Sequence, residues 1–525
     1  EDALTEIPPE QKQPYISKTT WDLLDKKQNA KHLGQWDLKR SLELQIKKQV
    51  KDDKEKHMLE KLVEIDEYGY KWEGIKRLKS KFTPKFCKFK DKDGKHIPAR
   101  EYANKAADYL EQVQWKTPEN LPPRKEYTHG DCNDDNLSIK DEPFHLSELN
   151  YVIGRLGNKK SPGPDQVISE LVKWTDEETR RNILPFINQI VEKDTLEETL
   201  DLANVASIYK KGDSTNLANY RPISLLQTFY KLLASLIKER IDAGIDSLIT
   251  KTQYGFRKNR STAQAIYIAR RLLDIGEEEG THLTMVLLDW EKAFDKIDQT
   301  RLIEALDRLG VPPNMLKLIQ MIYRDPKFRV VSGQEKSEYR QQHTGIRQGC
   351  PLSPYLFVLV MTVLMKDVRK RLNTFRQKEP IDGINFAEIL YADDTLLYGT
   401  HTQNINKLLA QIQIESAYYN MKLNLDKCVN LTMNQRQSSI KFKDQTFMPR
   451  SAKAVYLGTI LSDTNDNHIE MNNRIAECSA TANRLKLFWQ KSEASTKWKI
   501  QVYDAIIRSK LLYGVECIQL SRPEQ

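Results

Sequence analysis

The stretch Glu388-Ile-Leu-Tyr-Ala-Asp393-Asp394-Thr-Leu-Leu-Tyr398 places two adjacent aspartates between two apolar runs that are rich in β-forming residues. This pattern predicts a strand, a tight turn and a second strand, with both carboxylates at the tip. Adjacent carboxylates repel each other, so such a pair takes up a proton, turns to water or binds a cation. Aspartate is also a favoured turn residue. Taken alone, the pair therefore indicates an ordinary hairpin turn.

A second apolar run, Thr284-Met-Val-Leu-Leu-Asp289, also ends in an aspartate and continues as Trp290-Glu-Lys-Ala-Phe294-Asp295. A buried strand that ends in a carboxylate can expose a ligand at the edge of a sheet. If this strand lies beside the hairpin, Asp289 and Asp393 can hold two Mg²⁺ ions about 4 Å apart. One ion would lower the pKa of an attacking 3′-hydroxyl, and the other would neutralise charge on departing pyrophosphate. The combination suggests nucleotidyl transfer.

Composition is that of a soluble protein with a substantial core, since 39% of the 525 residues are hydrophobic and 30% are charged. The net charge of +9 weakly favours a polyanionic partner. The cysteines are too few and too scattered for a disulfide framework or a zinc site, so a reducing compartment is expected. The apolar stretch from Tyr355 to Met365 is much shorter than the ~20 residues that a membrane span needs.

The first 115 residues read as charged helices, and residues 71–100 are strongly basic, with eleven basic and three acidic residues. Aromatic residues are interleaved with the lysines. Two interpretations explain the segment equally well. One is a solvated hairpin with lysine-rich edges, and the other is a groove that follows a phosphate backbone. The second interpretation makes the following residues candidates for nucleic-acid binding: Lys76, Arg77, Lys79, Lys81, Lys85 and Lys88.

Residues 116–142, rich in Pro, Asp and Asn, predict a linker. Beyond it, helical stretches alternate with short β-rich runs, and residues 467–515 again have the pattern of amphipathic helices. The β-rich runs are Thr284–Asp289, Phe328–Ser332, Glu388–Leu397, Val429–Met433 and Ala454–Leu461.

Tyr391-Ala-Asp393-Asp394 resembles the signature of reverse transcriptases, and it occurs among other motifs in that family's order. These motifs are Lys160-Ser-Pro-Gly-Pro-Asp165, Ile208-Tyr-Lys210-Lys-Gly-Asp213, Asn219-Tyr-Arg221-Pro-Ile-Ser-Leu-Leu226, Gln253-Tyr-Gly-Phe-Arg257, Asp289 to Asp295, Arg347-Gln-Gly-Cys-Pro-Leu-Ser-Pro354, Asn424-Leu-Asp-Lys427 and Tyr456-Leu-Gly458. The resemblance covers residues of about 150–515 and is closest to non-LTR (LINE-type) retrotransposon reverse transcriptases.

The resemblance implies an α+β, right-hand polymerase fold with fingers, an antiparallel-sheet palm and a helical thumb, preceded by a helical, basic N-terminal extension. The implied domains are the extension and linker at 1–144, fingers at 145–280, palm at 281–462 and thumb at 463–525, with the reverse transcriptase domain at about 190–462.

The resemblance also implies roles for single residues. Asp289, Asp393 and Asp394 would be the catalytic and metal-binding carboxylates, and Lys427 would protonate pyrophosphate, although a strand-edge lysine explains Lys427 nearly as well. The remaining implied roles are a triphosphate grip at Lys210 and Arg221, a steric gate at Phe294, a nucleotide-contacting loop at Gln348 and Gly349, and a primer grip at Tyr456, Leu457 and Gly458. A core phenylalanine and a plain hairpin corner are the alternatives for Phe294 and for the last three residues.

The implied function is an RNA-directed DNA polymerase that uses two Mg²⁺ ions, with Mn²⁺ as a substitute, and acts in target-primed reverse transcription. Its partners would be template RNA, primer or target DNA and dNTPs, within a ribonucleoprotein of the nucleus and cytoplasm. The chain starts with Glu1 and shows no endonuclease pattern, so we expect a segment of a longer polypeptide. Alternatives are an inactive or domesticated RNA-binding copy, and another right-hand polymerase such as a maturase, a telomerase subunit or an RNA-dependent RNA polymerase.

Overall fold

The computed structural model of the chain describes residues 15–67, 71–79, 89–90, 94–133, 137–193, 200–372, 386–434 and 439–518. It contains two compact units. The first comprises Glu1–Thr83 and Met471–Val515, and the second comprises Pro84–Glu470 and Glu516–Gln525. This division cuts across the domain boundaries predicted at 144 and 462, which stay predictions.

Helices and strands are numbered here in chain order. The helices are α1 Lys18–His32, α2 Trp36–Glu67, α3 Lys71–Lys79, α4 Tyr102–Tyr109, α5 Leu146–Arg155, α6 Ser169–Lys173, α7 Glu177–Lys193, α8 Thr228–Ile245, α9 Thr262–Glu278, α10 Ala293–Lys296, α11 Gln299–Arg308, α12 Pro313–Arg324, α13 Ser353–Leu372, α14 Thr402–Tyr418, α15 Asn467–Arg484, α16 Lys486–Lys491, α17 Thr496–Val502 and α18 Ser509–Leu512. The strands are β1 Ala203–Tyr209, β2 Tyr220–Leu226, β3 Leu283–Leu288, β4 Lys327–Ser332, β5 Glu335–Lys336, β6 Arg340–Gln341, β7 Glu388–Tyr391, β8 Asp394–Gly399, β9 Val429–Met433, β10 Lys453–Tyr456 and β11 Thr459–Ser462. Each β-rich run predicted from the sequence contains a strand or a hairpin.

A four-stranded antiparallel sheet in the order β7-β8-β3-β9 lies at the centre of the second unit. Alternate residues point to opposite sides of a strand, and both sides of strand β3 are buried. Val286 and Leu288 belong to one hydrophobic core, while Leu283 and Met285 belong to another. This double burial explains why β3 reads as a continuous apolar run rather than as an alternating pattern.

Segments outside the four strands pair with both outer strands of this sheet. On β7, the Leu390 N–H donates to the carbonyl of Thr252 at 2.9 Å, and the Tyr254 N–H donates to the carbonyl of Leu390 at 2.8 Å. On β9, the Asn430 N–H donates to the carbonyl of Pro449 at 2.9 Å. The backbone groups of the outer strands are thereby partly satisfied.

A second sheet has the order β2-β1-β4-β5, with β6 also paired to β4. Strands β1 and β2 are antiparallel, whereas β1 and β4 are parallel. The apolar stretch from Tyr355 to Met365 lies on α13, where these residues are almost completely buried. None of the helices within the described ranges is both long and apolar enough to cross a bilayer.

In the first unit, α1 and α2 pack together and are joined by the carboxylate of Asp53. It accepts hydrogen bonds from the Thr20 hydroxyl at 2.6 Å and from the Ser17 N–H at 2.8 Å. Burial raises the pKa of Asp53, but these hydrogen bonds and one from Gln49 outweigh it and lower the pKa to about 2. The bonds stabilise the charged carboxylate inside the helical pair.

The basic segment predicted as a hairpin or groove at 71–100 begins instead with α3. Trp72 on this helix packs edge-on against Trp498, and both belong to the first unit. Lys76 and Lys79 are exposed on α3. The side chain of Arg77 and the residues Lys81, Lys85 and Lys88 lie outside the described part of the chain.

Candidate active site

The predicted strand-turn-strand around the aspartate pair is present. Tyr391 at the end of β7 pairs with Asp394 at the start of β8, which leaves Ala392 and Asp393 as a two-residue turn. Ala392 has a left-handed φ of 55°, which a non-glycine residue adopts only under constraint. The constraint comes from Gln253, whose buried Oε1 accepts hydrogen bonds from the Ala392 N–H at 2.9 Å and the Gly255 N–H at 2.8 Å.

Sheet register brings Asp289 to the same place. Strand β3 is antiparallel to β8, with Leu288 opposite Thr395. The next residues outward along these two strands are Asp289 and Asp394, so the predicted meeting of the two motifs is observed. The carbonyl of Asp289 accepts a hydrogen bond from the Asn424 N–H at 2.8 Å, which fixes the end of the strand.

The carboxylates perturb each other electrostatically. Burial, followed by the negative charges of Asp393 and Asp289, raises the pKa of Asp394 to about 6, while Lys210 opposes the shift. Burial likewise raises the pKa of Asp393, with a contribution from Asp289 and opposition from Arg221 and Lys210. Crowded carboxylates of this kind favour a counter-cation.

The donor chemistry fits Mg²⁺, which prefers carboxylate oxygens. Among the residues that the structure describes, no three acidic, histidine or cysteine side chains already converge as a closed metal site. Magnesium in phosphoryl-transfer proteins is usually held by one or two carboxylates, completed by water and substrate phosphate oxygens. Asp289 and Asp393 suit such an open site.

Cations face the carboxylates from the hairpin of β1 and β2. Arg221 lies opposite Ile208 in this hairpin, and Lys210 follows β1 with its N–H donating to the Asn219 carbonyl at 3.0 Å. Burial lowers the pKa of Lys210, the nearby charges of Arg221 and Lys427 lower it further, and Asp289 raises it. The predicted phosphate-binding cations therefore lie within electrostatic reach of the aspartates.

Lys427 contacts the site directly, because its Nζ lies 3.2 Å from Oδ2 of Asp289. Both side chains are about half exposed, at 51% for Lys427 and 43% for Asp289. Such an exposed ion pair contributes little to stability. It leaves the ammonium accessible to a bound substrate.

Phe294 is half-buried, and its ring stacks on that of Phe357 with centroids 4.8 Å apart. The packing and steric-gate interpretations are compatible with this position. Gln348 and Gly349 lie against β2, where the Ser224 N–H donates to the Gln348 carbonyl at 2.7 Å. The Gln348 side chain donates to the carboxylate of Asp295 at 3.0 and 3.1 Å.

The predicted primer-grip residues form the turn between β10 and β11. Leu457 and Gly458 both have positive φ, 46° and 80°, as a two-residue type I′ turn requires. Tyr456 is buried. Burial, and to a lesser extent the negative charge of Asp394, raises the pKa of its phenol. The start of the turn therefore lies within electrostatic reach of the aspartate pair.

Residues 208–502 match the sequence family described as reverse transcriptase (RNA-dependent DNA polymerase). The chain belongs to this reverse transcriptase family. The match confirms the predicted fold class and the family resemblance.

Two relatives illustrate the similarity of this reverse transcriptase. It is 26% identical over 388 residues to the transposon TX1 uncharacterized 149 kDa protein of Xenopus laevis, covering 72% of this chain and 29% of the relative. It is 24% identical over 468 residues to the RNA-directed DNA polymerase from mobile element jockey of Drosophila melanogaster, covering 85% of this chain and 49% of the relative. The chain thus spans less than half the length of these relatives.

Among solved structures, a telomerase from Candida tropicalis in complex with a telomeric RNA fragment aligns with a TM-score of 0.39 and 13% identity. The alignment covers 65% of this chain and 56% of the telomerase chain.

Two buried residues of the candidate active site lie within predicted motifs but had no predicted role. Gln253 holds the turn before Asp393, although its own motif carried no assigned role. Asp295 is 4% exposed and binds Gln348. Its signal in the sequence was only its place at the end of the Asp289 motif.

Proposed function

We propose that this chain is the RNA-directed DNA polymerase of a non-LTR retrotransposon, which extends a DNA 3′-hydroxyl on an RNA template with dNTPs. The observation that carries the proposal is the meeting of Asp289 with the Asp393-Asp394 hairpin at the ends of the two inner strands β3 and β8, within electrostatic reach of Lys210 and Arg221.

Each side chain has a physical task in this reaction. Lys210 and Arg221 would bind the triphosphate, whose negative charge relieves the repulsion between the two cations. Asp289, Asp393 and Asp394 would hold two Mg²⁺ ions, which would activate the attacking hydroxyl and neutralise charge on the leaving group. The 3′-oxygen would form a bond to the α-phosphorus as the bond to pyrophosphate breaks.

Lys427 would donate a proton to the departing pyrophosphate. Its ion pair with Asp289 supports this role, because the pair keeps an ammonium group beside the carboxylates. Phe294 would exclude a 2′-hydroxyl, and the turn at Tyr456, Leu457 and Gly458 would hold the primer terminus.

Target-primed synthesis on nicked chromosomal DNA, in a ribonucleoprotein of the nucleus and cytoplasm, is part of the proposal. The names of the relatives support the mobile-element context. The nick would come from an endonuclease or from a pre-existing break.

Primer extension by the purified chain on matched RNA and DNA templates with Mg²⁺ tests the function. We expect dNTP incorporation on RNA, and a loss of at least about 100-fold in Asp393→Asn, because metal ions supply several kcal/mol of transition-state stabilisation. A matched control is Asp444→Asn, since Asp444 is an exposed turn residue whose carboxylate accepts hydrogen bonds from the N–H and hydroxyl of nearby Thr446.

Undiminished activity in Asp393→Asn would contradict the proposal. Binding of RNA without incorporation by the wild type would instead identify an inactive RNA-binding copy. Preference for rNTPs over dNTPs would identify an RNA polymerase.

A further inference from the structure

A buried carboxylate joins a segment before the linker to the predicted nucleotide loop. Asp295 accepts hydrogen bonds from the Trp115 indole N–H at 3.1 Å and from Nε2 of Gln114 at 3.0 Å. It also accepts two from Nε2 of Gln348, at 3.0 and 3.1 Å. Gln114, Trp115 and Asp295 are 2%, 1% and 4% exposed. Both carboxylate oxygens are therefore used within the protein.

The chemistry of the acceptor fixes the orientation of the Gln348 amide. An ionised carboxylate only accepts hydrogen bonds, so Gln348 must present its NH₂ group to Asp295. The amide carbonyl oxygen then faces away from Asp295. Gln348 consequently presents its carbonyl oxygen as an acceptor to a molecule bound on its other side.

Gln114, one of the donors to Asp295, is itself held by a hydrogen bond. Lys292 Nζ donates to Oε1 of Gln114 at 2.8 Å and to the Tyr109 hydroxyl at 3.0 Å. This bond fixes which end of the Gln114 amide faces Asp295. Burial raises the pKa of Asp295, and Trp115, Lys292, Gln348 and Gln114 oppose that shift. The surrounding groups thus favour the ionised, accepting form.

Backbone contacts connect Asp295 to the chain that leads into the loop. The Thr344 hydroxyl donates to the Asp295 carbonyl at 3.1 Å, and the Ile346 N–H donates to the Phe294 carbonyl at 2.8 Å. A further bond runs from Lys296 Nζ to the Val113 carbonyl at 3.3 Å. The segment before the linker, the end of the Asp289 motif and the chain that leads into the nucleotide loop therefore meet at the buried Asp295.

We propose that Asp295 is a positioning residue that, held by Gln114 and Trp115, fixes the Gln348 amide for the incoming nucleotide. The segment before the linker is then a working part of the nucleotide site, although it lies outside the matched residues 208–502. This inference rests on the polymerase function proposed above.

Steady-state primer extension with varied dNTP tests the positioning role. In Asp295→Asn, the new NH₂ group faces donors in place of one carboxylate oxygen, so the Gln348 amide loses one of its two contacts or turns over. We expect the KM for dNTP to rise about tenfold while kcat stays within about threefold, because the interaction that is removed serves binding.

Rescue separates positioning from folding. In the double variant Asp295→Asn with Gln348→Glu, the introduced glutamate accepts from the introduced asparagine and again offers an acceptor on its other side. We expect the double variant to recover most of the KM. Gln348→Glu alone should be the most impaired, because two carboxylates then face each other in a buried place.

Trp115→Phe removes only the indole donor and tests the segment before the linker even if Asp295→Asn folds poorly. We expect a KM increase of about threefold. The matched control is Trp498→Phe, since the buried Trp498 indole N–H has no hydrogen-bond partner among the described residues. It should leave the KM unchanged.

The outcomes distinguish the two proposals. A wild type that incorporates no nucleotide contradicts the polymerase function. An active wild type whose KM is unchanged in both Asp295→Asn and Trp115→Phe, or a double variant without rescue, contradicts the positioning role alone.

Discussion

Gly349 occupies a position that a side chain cannot share. Its φ is +127°, and a Cβ atom built there would lie 2.4 Å from the carbonyl oxygen of Ser224. We expect Gly349→Ala to push the loop off β2, raise the KM for dNTP about tenfold and destabilise the fold by about 1–3 kcal/mol. Primer-extension kinetics and thermal unfolding would measure these two effects.

Gly333→Ala is a control that isolates backbone strain from the clash. Gly333 also has a positive φ, +63°, but nothing lies within 4 Å of the position that an alanine methyl group would take. Gly333→Ala therefore introduces backbone strain without a steric clash. An equal rise in KM in both variants would show that contact with Ser224 is not the cause.

The sequence predicts which residues would carry the chemistry, but it does not predict which residues hold them in place. Asp289, Asp393, Lys210 and Arg221 stand in motifs that point to phosphate chemistry. Their support comes from contacts between distant parts of the chain: Gln253 and Ala392 are 139 positions apart, and Trp115 and Asp295 are 180 apart. The sequence does not identify such partners, because any buried amide or indole could form the same hydrogen bond.

At the scale of elements, the β10–β11 hairpin allows a test of the primer grip. Asparagine adopts the left-handed conformation of Leu457 more readily than leucine does, so Leu457→Asn should relieve backbone strain in the turn, which offsets part of the packing that Leu457 loses against the neighbouring hydrophobic core. If the Leu457 side chain holds the primer, its replacement should raise the KM for primer-template about fivefold, because less apolar surface is then buried against the primer. Primer-titrated extension and thermal unfolding would separate the two effects.

Gln445→Asn provides the matched control for this variant. Gln445 is exposed in another turn and has a φ of 68°, so the same relief of strain occurs away from the predicted grip. Unchanged primer use in Leu457→Asn would support the plain hairpin corner instead.

The predicted β-rich runs contain β3, β4 and β7 to β11, whereas β1, β2, β5 and β6 were not predicted. Strand β3 has an unbroken apolar run, and β9 was predicted with its observed bounds. Strand β2 was not predicted, because it contains Arg221 and Pro222. It lies at the edge of its sheet, where proline is tolerated since one side needs no ladder hydrogen bonds.

At the scale of the whole molecule, the net charge of +9 predicts salt-sensitive binding of nucleic acid. Exposed Lys76 and Lys79 on α3 are the testable part of the predicted basic surface. We expect Lys76→Ala with Lys79→Ala to weaken RNA binding and to reduce the slope of log K against log salt by about one for each phosphate that is no longer neutralised. Fluorescence anisotropy across a salt series would measure it.

Lys47→Ala with Lys48→Ala removes the same charge from exposed positions on α2 of the same unit. An identical weakening by both pairs would show that only net charge matters. The predicted basic surface would then have no specific role.

The two compact units group the chain differently from the predicted domains, whose boundaries stay predictions. Linker composition suggested a division after residue 144, but residues 84–144 belong to the second unit. Residues 471–515, predicted as thumb, share the first unit's core with α2 and α3 through Leu62, Leu78 and Phe488. Amphipathic patterns reveal that a helix has an apolar face, but not which other helix covers it.

The pairing of outer strands β7 and β9 with Thr252, Tyr254 and Pro449 bears on how copies of this protein meet. An uncovered sheet margin invites another chain to add a strand, which leads to aggregation. Here an intruding chain would first have to displace segments that are already bonded. The sheet that bears the aspartates therefore offers fewer free backbone groups to a second copy of the chain.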